Sequence, residues 1–342
     1  MPHSHHPHHH DHADNHHDEE TGHQHRHGLV DPTIVTTQRG MWALRWSFIL
    51  LGATALMQAV VVWMSGSVAL LADTIHNVGD AATALPLWVA FALARRPPSR
   101  RFTYGFGRVE DLAGVVIVGL IVVSVIVAGY ESLTRLIHPQ PLTHLGVVAL
   151  ASLIGFVGNE AVALLRINVG KEIGSAALVA DGYHARVDGL TSVAVLVGVV
   201  GVWLGYPIVD PLVGMLITVV LVHIVWESSV TIFTRLLDGV DPTVIEEITH
   251  AVAHTPEVQE VTQVRVRWLG HRLHAELNMA VSPHLSVAQG HAIATEVRHQ
   301  LLHHLPHLAN ATIHIDPVDA SGEEHHCIPE HVHGNFPVHA HP

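Results

Sequence analysis

The chain contains little cysteine and little charge. Cys327 is the single cysteine among 342 residues, so neither a disulfide framework nor a thiolate zinc cluster can form within one chain. Only 14% of the residues are charged, and Asp and Glu outnumber Lys and Arg by 30 to 17, which argues against a nucleic-acid partner. Any metal site must therefore be built from histidines and carboxylates.

Histidine is abundant, with 34 copies, and it is concentrated at the two ends. Residues 1–28 hold 12 histidines among acidic residues, Pro and Gly, with almost nothing apolar. Such a segment buries too little surface to offset its ordering entropy, so 1–40 and 319–342 are predicted to be disordered. An expression tag would also explain the N-terminal histidines, but their irregular spacing and the interleaved acids disfavour it.

Long apolar runs fill the part of the chain between residues 41 and 235. Each run reaches the roughly 20 residues that a bilayer span needs, and the first is long enough to remain as a span rather than be cleaved as a signal peptide. The runs lie at 43–64, 68–94, 110–136, 144–167, 174–203 and 207–231. The sequence therefore predicts an α-helical membrane domain with six transmembrane helices.

The basic residues between these spans are distributed unevenly. They lie in the link after the second span (Arg95, Arg96, Arg100, Arg101, Arg108), in the link after the fourth (Arg166, Lys171) and after the sixth (Arg235). The other three links contain no Lys or Arg. By the positive-inside rule the basic regions are cytoplasmic, and so are both termini.

The character of the sequence changes at about residue 238. Asp241-Pro242 is typical of a helix start, and Leu269-Gly270-His271 of a turn between two strands of alternating polarity. The predicted elements are a helix at 243–254, strands at 258–268 and 272–281, a helix at 286–304 and a strand at 310–316. This α-β-β-α-β order predicts a small cytoplasmic α+β domain over 238–318.

Two of the predicted spans contain ionisable residues at the same spacing. The second span holds Asp73, His76 and Asp80, and the fifth holds Asp181, His184 and Asp188. Residues four apart on a helix project from one face, so each His–Asp pair can direct a nitrogen and an oxygen to one point. Ionisable side chains inside a span are costly, which makes them functional candidates.

Together the two pairs would form a complete ligand set for a divalent metal. Two nitrogens and two oxygens suit tetrahedral Zn²⁺, and two carboxylates cancel its charge. Metal and protons would compete for these groups, with His76 and His184 the main proton carriers. The alternative interpretation is that each His–Asp pair forms a hydrogen bond that only stabilises its helix. The occurrence of the same spacing on two spans disfavours this interpretation.

Other polar residues in the spans have two interpretations each. Asp73 and Asp181, three positions before their histidines, would either orient the imidazole or make helix contacts near the outer membrane surface. Asn159 and Glu160 in the fourth span would either line an ion path or form interhelical hydrogen bonds.

Three segments of this sequence resemble the cation diffusion facilitator family. They are SGSVALLAD at 65–73 leading into His76 and Asp80, YGFGRVE at 104–110, and ADGYH at 180–184 followed by Asp188. The resemblance covers about residues 40–317. It implies a homodimer of six-span protomers that exports divalent metal from the cytoplasm in exchange for protons. It also implies that the transport site comprises His76, Asp80, His184 and Asp188.

The resemblance extends to the C-terminal domain. Family members carry a copper-chaperone-like, ferredoxin-like domain there, and some bind structural or regulatory metal at its dimer interface. The matching positions are His274, His291, His314 and Asp316, whereas Thr262 replaces a first-strand histidine found in some relatives. Arg108 and Asp238 occupy positions that pair in some relatives.

The sequence thus predicts a Zn²⁺ efflux transporter in a bacterial plasma membrane, with metal, protons, lipid and a second copy of itself as partners. Cd²⁺, Co²⁺, Ni²⁺ and Fe²⁺ remain alternative substrates, and no organic cofactor or nucleic acid is expected. An intramembrane metallohydrolase is disfavoured because His-Glu-x-x-His is absent and four protein ligands leave no place for water. A membrane-anchored metal buffer or sensor using the histidine-rich ends is the other alternative.

Overall fold

The computed structural model describes residues 32–65, 84–138, 145–206, 208–322 and 325. Within these ranges, five helices are long and apolar enough to cross a membrane. They are α1 (Pro32–Ser65), α3 (Arg108–Ile137), α4 (Leu145–Ile173), α5 (Ala176–Trp203) and α6 (Val209–Leu236). A shorter apolar helix, α2 (Ala84–Ala94), is the described part of the predicted second span. The helical membrane domain is confirmed, and five of its six predicted spans correspond to these long helices.

The link between α4 and α5 is shorter than the sequence predicts. The prediction ended the fourth span at residue 167 and placed Arg166 and Lys171 in a cytoplasmic loop, but both residues lie inside α4. Only Gly174 and Ser175 separate the two helices, with Gly174 in the left-handed region at φ +73°. The loop prediction was wrong for Arg166, because its charge is neutralised by a partner inside the bundle.

The α4 and α5 helices approach each other through glycines. A Cβ atom at Gly170 would lie 2.9 Å from the backbone nitrogen of Val179, and one at Gly182 would lie 2.9 Å from that of Ile167. Small residues let helix backbones come close together inside a membrane. The fit of α4 against α5 therefore depends on having no side chain at either position.

The C-terminal domain has the predicted α-β-β-α-β order. Its elements are α7 (Pro242–Ala253), β1 (Glu260–Leu269), β2 (Arg272–Val281), α8 (Val287–His304) and β3 (Leu308–Pro317), followed by a 3₁₀ turn (Val318–Ala320). The sheet order is β1-β2-β3, with β1 antiparallel and β3 parallel to β2, so α8 serves as the crossover connection. The core forms where Leu273, Leu277 and Met279 of β2 meet Val297 and Leu301 of α8.

Both helices of this domain begin at side-chain caps. Asp241 accepts a hydrogen bond from the backbone nitrogen of Thr243 at 3.0 Å, and this bond lowers the pKa of its carboxyl. Ser286 and Gln289 form a reciprocal capping box at the start of α8. These caps set where α7 and α8 start relative to the sheet.

The C-terminal domain is attached directly to one end of the helix bundle. Arg108 at the start of α3 forms an ion pair with Asp238, as predicted, and its guanidinium also donates to the carbonyl of Arg235 at 3.2 Å. Arg235 itself donates to the carbonyl of Gly174 at 2.6 Å. The three basic regions of the sequence therefore meet at the end of the bundle that contacts this domain.

Candidate metal centre

The polar residues of α5 lie on successive turns of one helix face. The helix begins at Ser175, whose hydroxyl accepts a hydrogen bond from the backbone nitrogen of Leu178 at 3.1 Å. His184 and Asp188 are both buried, and His184 Nε2 lies 3.9 Å from Asp188 Oδ2. The sequence-predicted pair is therefore adjacent and shielded from solvent, as a metal ligand pair in a membrane requires.

The other half of the predicted set lies outside the described residues. His76 and Asp80, together with Asp73, fall between residues 66 and 83. The convergence of the two His–Asp pairs on one ion therefore stays a prediction. The described residues contain no group of three or more His, Cys, Asp or Glu side chains arranged to hold a metal.

A cavity of about 690 Å³ lies beside Asp188. It is bounded by α3, α5 and α6 and is lined by Thr191, Glu131, Arg135 and Asp210 in addition to Asp188. The Arg135 guanidinium lies 3.3 Å from Asp210 Oδ2 within this lining. Since Asp210 is at the start of α6, the cavity extends from Asp188 towards the end of the bundle opposite the C-terminal domain.

An ion pair buried inside the bundle joins α4 to α5 next to the predicted ligands. Arg166 Nη1 lies 3.0 Å from Asp181 Oδ2, with side-chain exposures of 1% and 0%. Asp181 lies only five residues after the start of α5, at the end near the C-terminal domain, so of its two interpretations the contact near the outer membrane surface is wrong. Opposite charges in consecutive apolar stretches were the signal for this pair, and it was missed because Arg166 was assigned to a loop.

A second ion pair also joins α4 to α5. Arg186 donates to both carboxylate oxygens of Glu160, at 2.6 and 3.2 Å, in a half-buried bidentate arrangement. Of the two interpretations of Glu160, the structure favours interhelical bonding. Asn159 is buried against α5. The Cβ atom of Asn159 lies 3.5 Å from the position that a Cβ atom would take at Gly189 of α5.

The predicted C-terminal metal ligands are only partly brought together in one chain. His314 Nε2 lies 2.9 Å from Asp316 Oδ1 on β3. His274 pairs in register with Asn310, which lies four residues before His314. At roughly 3.3 Å per residue, His274 is about 13 Å from His314 along the sheet. The prediction placed this site at a dimer interface, and it stays a prediction.

The environments of the other two predicted ligands differ. Burial, with the nearby charges of Arg272 and Arg267, lowers the pKa of His274, which favours the neutral imidazole that a metal needs. His291 is exposed in α8, in the helix layer rather than on the sheet. Within the described chain, these two side chains therefore belong to different layers of the domain.

Comparison with known families accounts for both parts of the chain. Residues 44–237, more than half of the chain, match the cation efflux transmembrane domain, and residues 240–318 match the cation efflux protein cytoplasmic domain. The chain belongs to the cation efflux family. The resemblance drawn from the three motifs is thereby confirmed, and so is the assignment of the α+β domain to the cytoplasm.

Curated relatives match this chain over most of its length and over most of their own length. A "probable cation efflux system protein" of Mycobacterium tuberculosis is 55% identical over 290 residues, covering 85% of this chain and 87% of its own. Metal tolerance protein 2 of Oryza sativa is 26% identical over 293 residues, covering 75% and 73%. Magnetosome protein MamB of Magnetospirillum gryphiswaldense is 25% identical over 277 residues, covering 81% and 93%.

Proposed function

We propose that this cation efflux protein exports Zn²⁺ from the cytoplasm in exchange for protons, through a site formed by His76, Asp80, His184 and Asp188. The observation that carries the proposal is the buried His184–Asp188 pair on α5, beside a cavity that extends away from the cytoplasmic domain. Burying an imidazole and a carboxylate inside an apolar helix is costly unless an ion or partner uses them.

The chemistry of the exchange follows from the ligands. Zn²⁺ binds a deprotonated carboxylate and a neutral imidazole, so metal entry from the cytoplasm displaces protons. On the opposite side, protons arriving through the cavity beside Asp188 displace the metal. Histidines, whose ordinary pKa is about 6.5, are suited to this exchange at physiological pH.

Zn²⁺ is the proposed substrate because two nitrogens and two oxygens form a tetrahedral set that its filled d shell accepts without distortion. Cd²⁺, Co²⁺, Ni²⁺ and Fe²⁺ can use the same ligand types. Metal competition in vesicles of known orientation ranks them, and Zn²⁺ is expected to compete best. A strong preference for another of these metals would change the proposed substrate but not the site.

The proposed assembly is a homodimer in a bacterial plasma membrane with both termini in the cytoplasm. The cytoplasmic domain supports this orientation because it contacts the basic end of the bundle. Cross-linking of the full-length protein in membranes is expected to give a dimer. A protein that stays monomeric at all concentrations tested would contradict it.

The transport test uses purified protein in liposomes with an imposed pH gradient and a zinc-sensitive dye. Wild-type protein is expected to take up Zn²⁺ only with the gradient, and Asp188→Ala is expected to reduce the rate at least tenfold. His223 and Glu227 on α6 provide a matched control because they have the same four-residue spacing but are exposed, with His223 Nε2 3.4 Å from Glu227 Oε1. His223→Asn should retain transport, whereas full activity in Asp188→Ala would refute the site.

A further inference from the structure

The turn between β1 and β2 is inserted into the cytoplasmic end of the helix bundle. This hairpin turn comprises Leu269, Gly270, His271 and Arg272, and the first three of these residues are buried. His271 lies against three transmembrane helices at once. Its Nε2 is 3.4 Å from the hydroxyl of Thr37 on α1, and its ring is 5.8 Å from the ring of Phe91 on α2 in an edge-on contact.

The third helix, α3, supplies carboxylates that bind the turn. His271 Nδ1 lies 2.6 Å from Glu110 Oε2, and the backbone nitrogen of His271 donates to the same oxygen at 3.2 Å. The adjacent Asp111 accepts from the backbone nitrogen of Gly270 at 3.2 Å. The Glu110 and His271 side chains are each 2% exposed, so the contact is shielded from bulk solvent.

Two glycines make the close approach of the turn possible. Gly270 has φ +64°, and a Cβ there would lie 2.7 Å from the carbonyl oxygen of Gly107 and 2.8 Å from Glu110 Oε2. A Cβ at Gly107 would in turn lie 2.8 Å from the carbonyl oxygen of Leu269. Backbone meets backbone here, and glycine is the residue that allows both the left-handed conformation and the contact.

The same part of the domain also contacts the link before α5. Trp268 is next to the hairpin turn, and the Cζ atom of the Arg235 guanidinium lies 4.0 Å from the centroid of its ring. Arg235 also donates a hydrogen bond to the carbonyl oxygen of Gly174. A Cβ on Gly174 would lie 3.1 Å from the ring of His307. The cytoplasmic domain is therefore connected both to α3 and to the helix that holds His184.

We propose that Glu110 and His271 are positioning residues that hold the hairpin turn in the bundle throughout transport, so that the cytoplasmic domain and the transmembrane helices move together. Separation would leave a buried carboxylate without its two donors, a costly state. The exposed Arg108–Asp238 pair cannot replace this contact, since its side chains are 35% and 49% exposed and such pairs contribute little. The proposal rests on the transport activity of the proposed function, but not on which residues bind the metal.

Hydrogen exchange on the full-length protein in liposomes measures the contact itself. Glu110→Ala is expected to accelerate exchange of the His271 amide, which donates to Glu110, by roughly 10- to 100-fold, the range expected for losing hydrogen bonds to a charged group. The amide of Leu277 in the middle of β2 should be unchanged, which shows that the domain remains folded. Glu110→Gln should give an intermediate acceleration, because its amide oxygen still accepts hydrogen bonds.

Zn²⁺ transport by the same samples tests the consequence. The maximal rate per molecule is expected to fall at least fivefold in Glu110→Ala, with KM for Zn²⁺ changed less than about twofold, and to recover partly in Glu110→Gln. His284→Asn, in an exposed turn on another edge of the domain, is the control that should match wild type. A purely stabilising contact would lower thermal stability without changing the rate per folded molecule.

Two results would overturn the proposal. One is unchanged protection of the His271 amide in Glu110→Ala, and the other is normal transport by a variant whose turn exchanges rapidly. If wild-type protein does not transport Zn²⁺ although the His271 amide is protected, the proposed function fails while the contact itself stands. The exchange and transport measurements therefore separate the two failures.

Discussion

Arg166 and Asp181 form an ion pair 3.0 Å apart inside the helix bundle, and neither side chain is more than 1% exposed. The pair ties the cytoplasmic half of α4 to the turn of α5 that precedes His184. Removing one partner of a buried pair leaves an unpaired charge, which costs more than the pair itself contributes. Asp181 therefore fixes the position of α5 through Arg166.

Replacing one member of this pair should strongly destabilise the protein. Asp181→Asn is expected to lower the free energy of unfolding by about 3–5 kcal/mol, whereas the double variant Arg166→Met with Asp181→Leu should lose much less. Thermal unfolding in detergent measures both. The control is Glu172→Gln, which breaks an exposed pair with Arg39 at 3.2 Å and should cost less than about 1 kcal/mol. Equal losses for Asp181→Asn and Glu172→Gln would contradict the argument.

A methyl group on Gly182 should displace α5 from α4. Its Cβ would lie 2.9 Å from the backbone nitrogen of Ile167, so Gly182→Ala is expected to cost about 1–3 kcal/mol in overpacking. Because His184 is two residues away, Zn²⁺ transport per folded molecule should also fall.

Gly52→Ala is the matched control for Gly182→Ala. Among the described atoms none lies within 4 Å of a Cβ at Gly52, and alanine favours helices over glycine, so this variant should be neutral or stabilising. Equal transport and equal stability in the two variants would show that the close approach of α4 and α5 does not matter.

The protein should lose stability in mild acid partly through His307. Burial, and next the charge of Arg235, lower the pKa of His307 in the folded protein. The unfolded chain then binds a proton more readily than the folded one, so the free energy of unfolding falls as the pH drops below about 6.5. His307→Asn, which tolerates the positive φ of 72° at this position, should flatten that dependence. Urea unfolding between pH 5 and 8 measures the free energy of unfolding as a function of pH. If this free energy depends on pH equally in the variant and in wild type, His307 is not the cause of the acid sensitivity.

Deleting residues 1–28 separates a transporter from an anchored metal buffer. These residues hold 12 histidines but none of the four proposed transport ligands. Zn²⁺ uptake into liposomes at saturating metal should therefore be retained within about twofold. Loss of uptake together with loss of most bound metal would favour the buffer function instead.

Patterns that repeat along the chain predicted the architecture well. Alternating polarity located β1 and β2 to within about two residues, and the Leu269-Gly270-His271 turn followed as the short segment that connects them. The His184–Asp188 pair followed from helix periodicity alone. Each of these features depends only on residues that are close together in the chain, so it can be predicted from the sequence alone.

Features that depend on a distant partner could not be predicted in the same way. Arg166 looked like a loop residue because its neutralising partner lies on the next helix. The burial of His271 is equally invisible, since most turns face water and only the folded chain shows which one enters the bundle. Among the described residues, the predicted ligands on β2, β3 and α8 do not form a group of three or more side chains that could hold a metal.

The close approach of the Gly107 and Gly270 backbones limits which cytoplasmic domains of the family can be combined with a given helix bundle. Because the carbonyl oxygens and glycines of the two sides are in direct contact, a cytoplasmic domain is matched to the bundle that carries it. A chimera that combines the bundle of one relative with the cytoplasmic domain of another should assemble only when both glycines, Glu110 and His271 have their counterparts. We therefore expect that the two domains can be exchanged only together, although each has a core of its own.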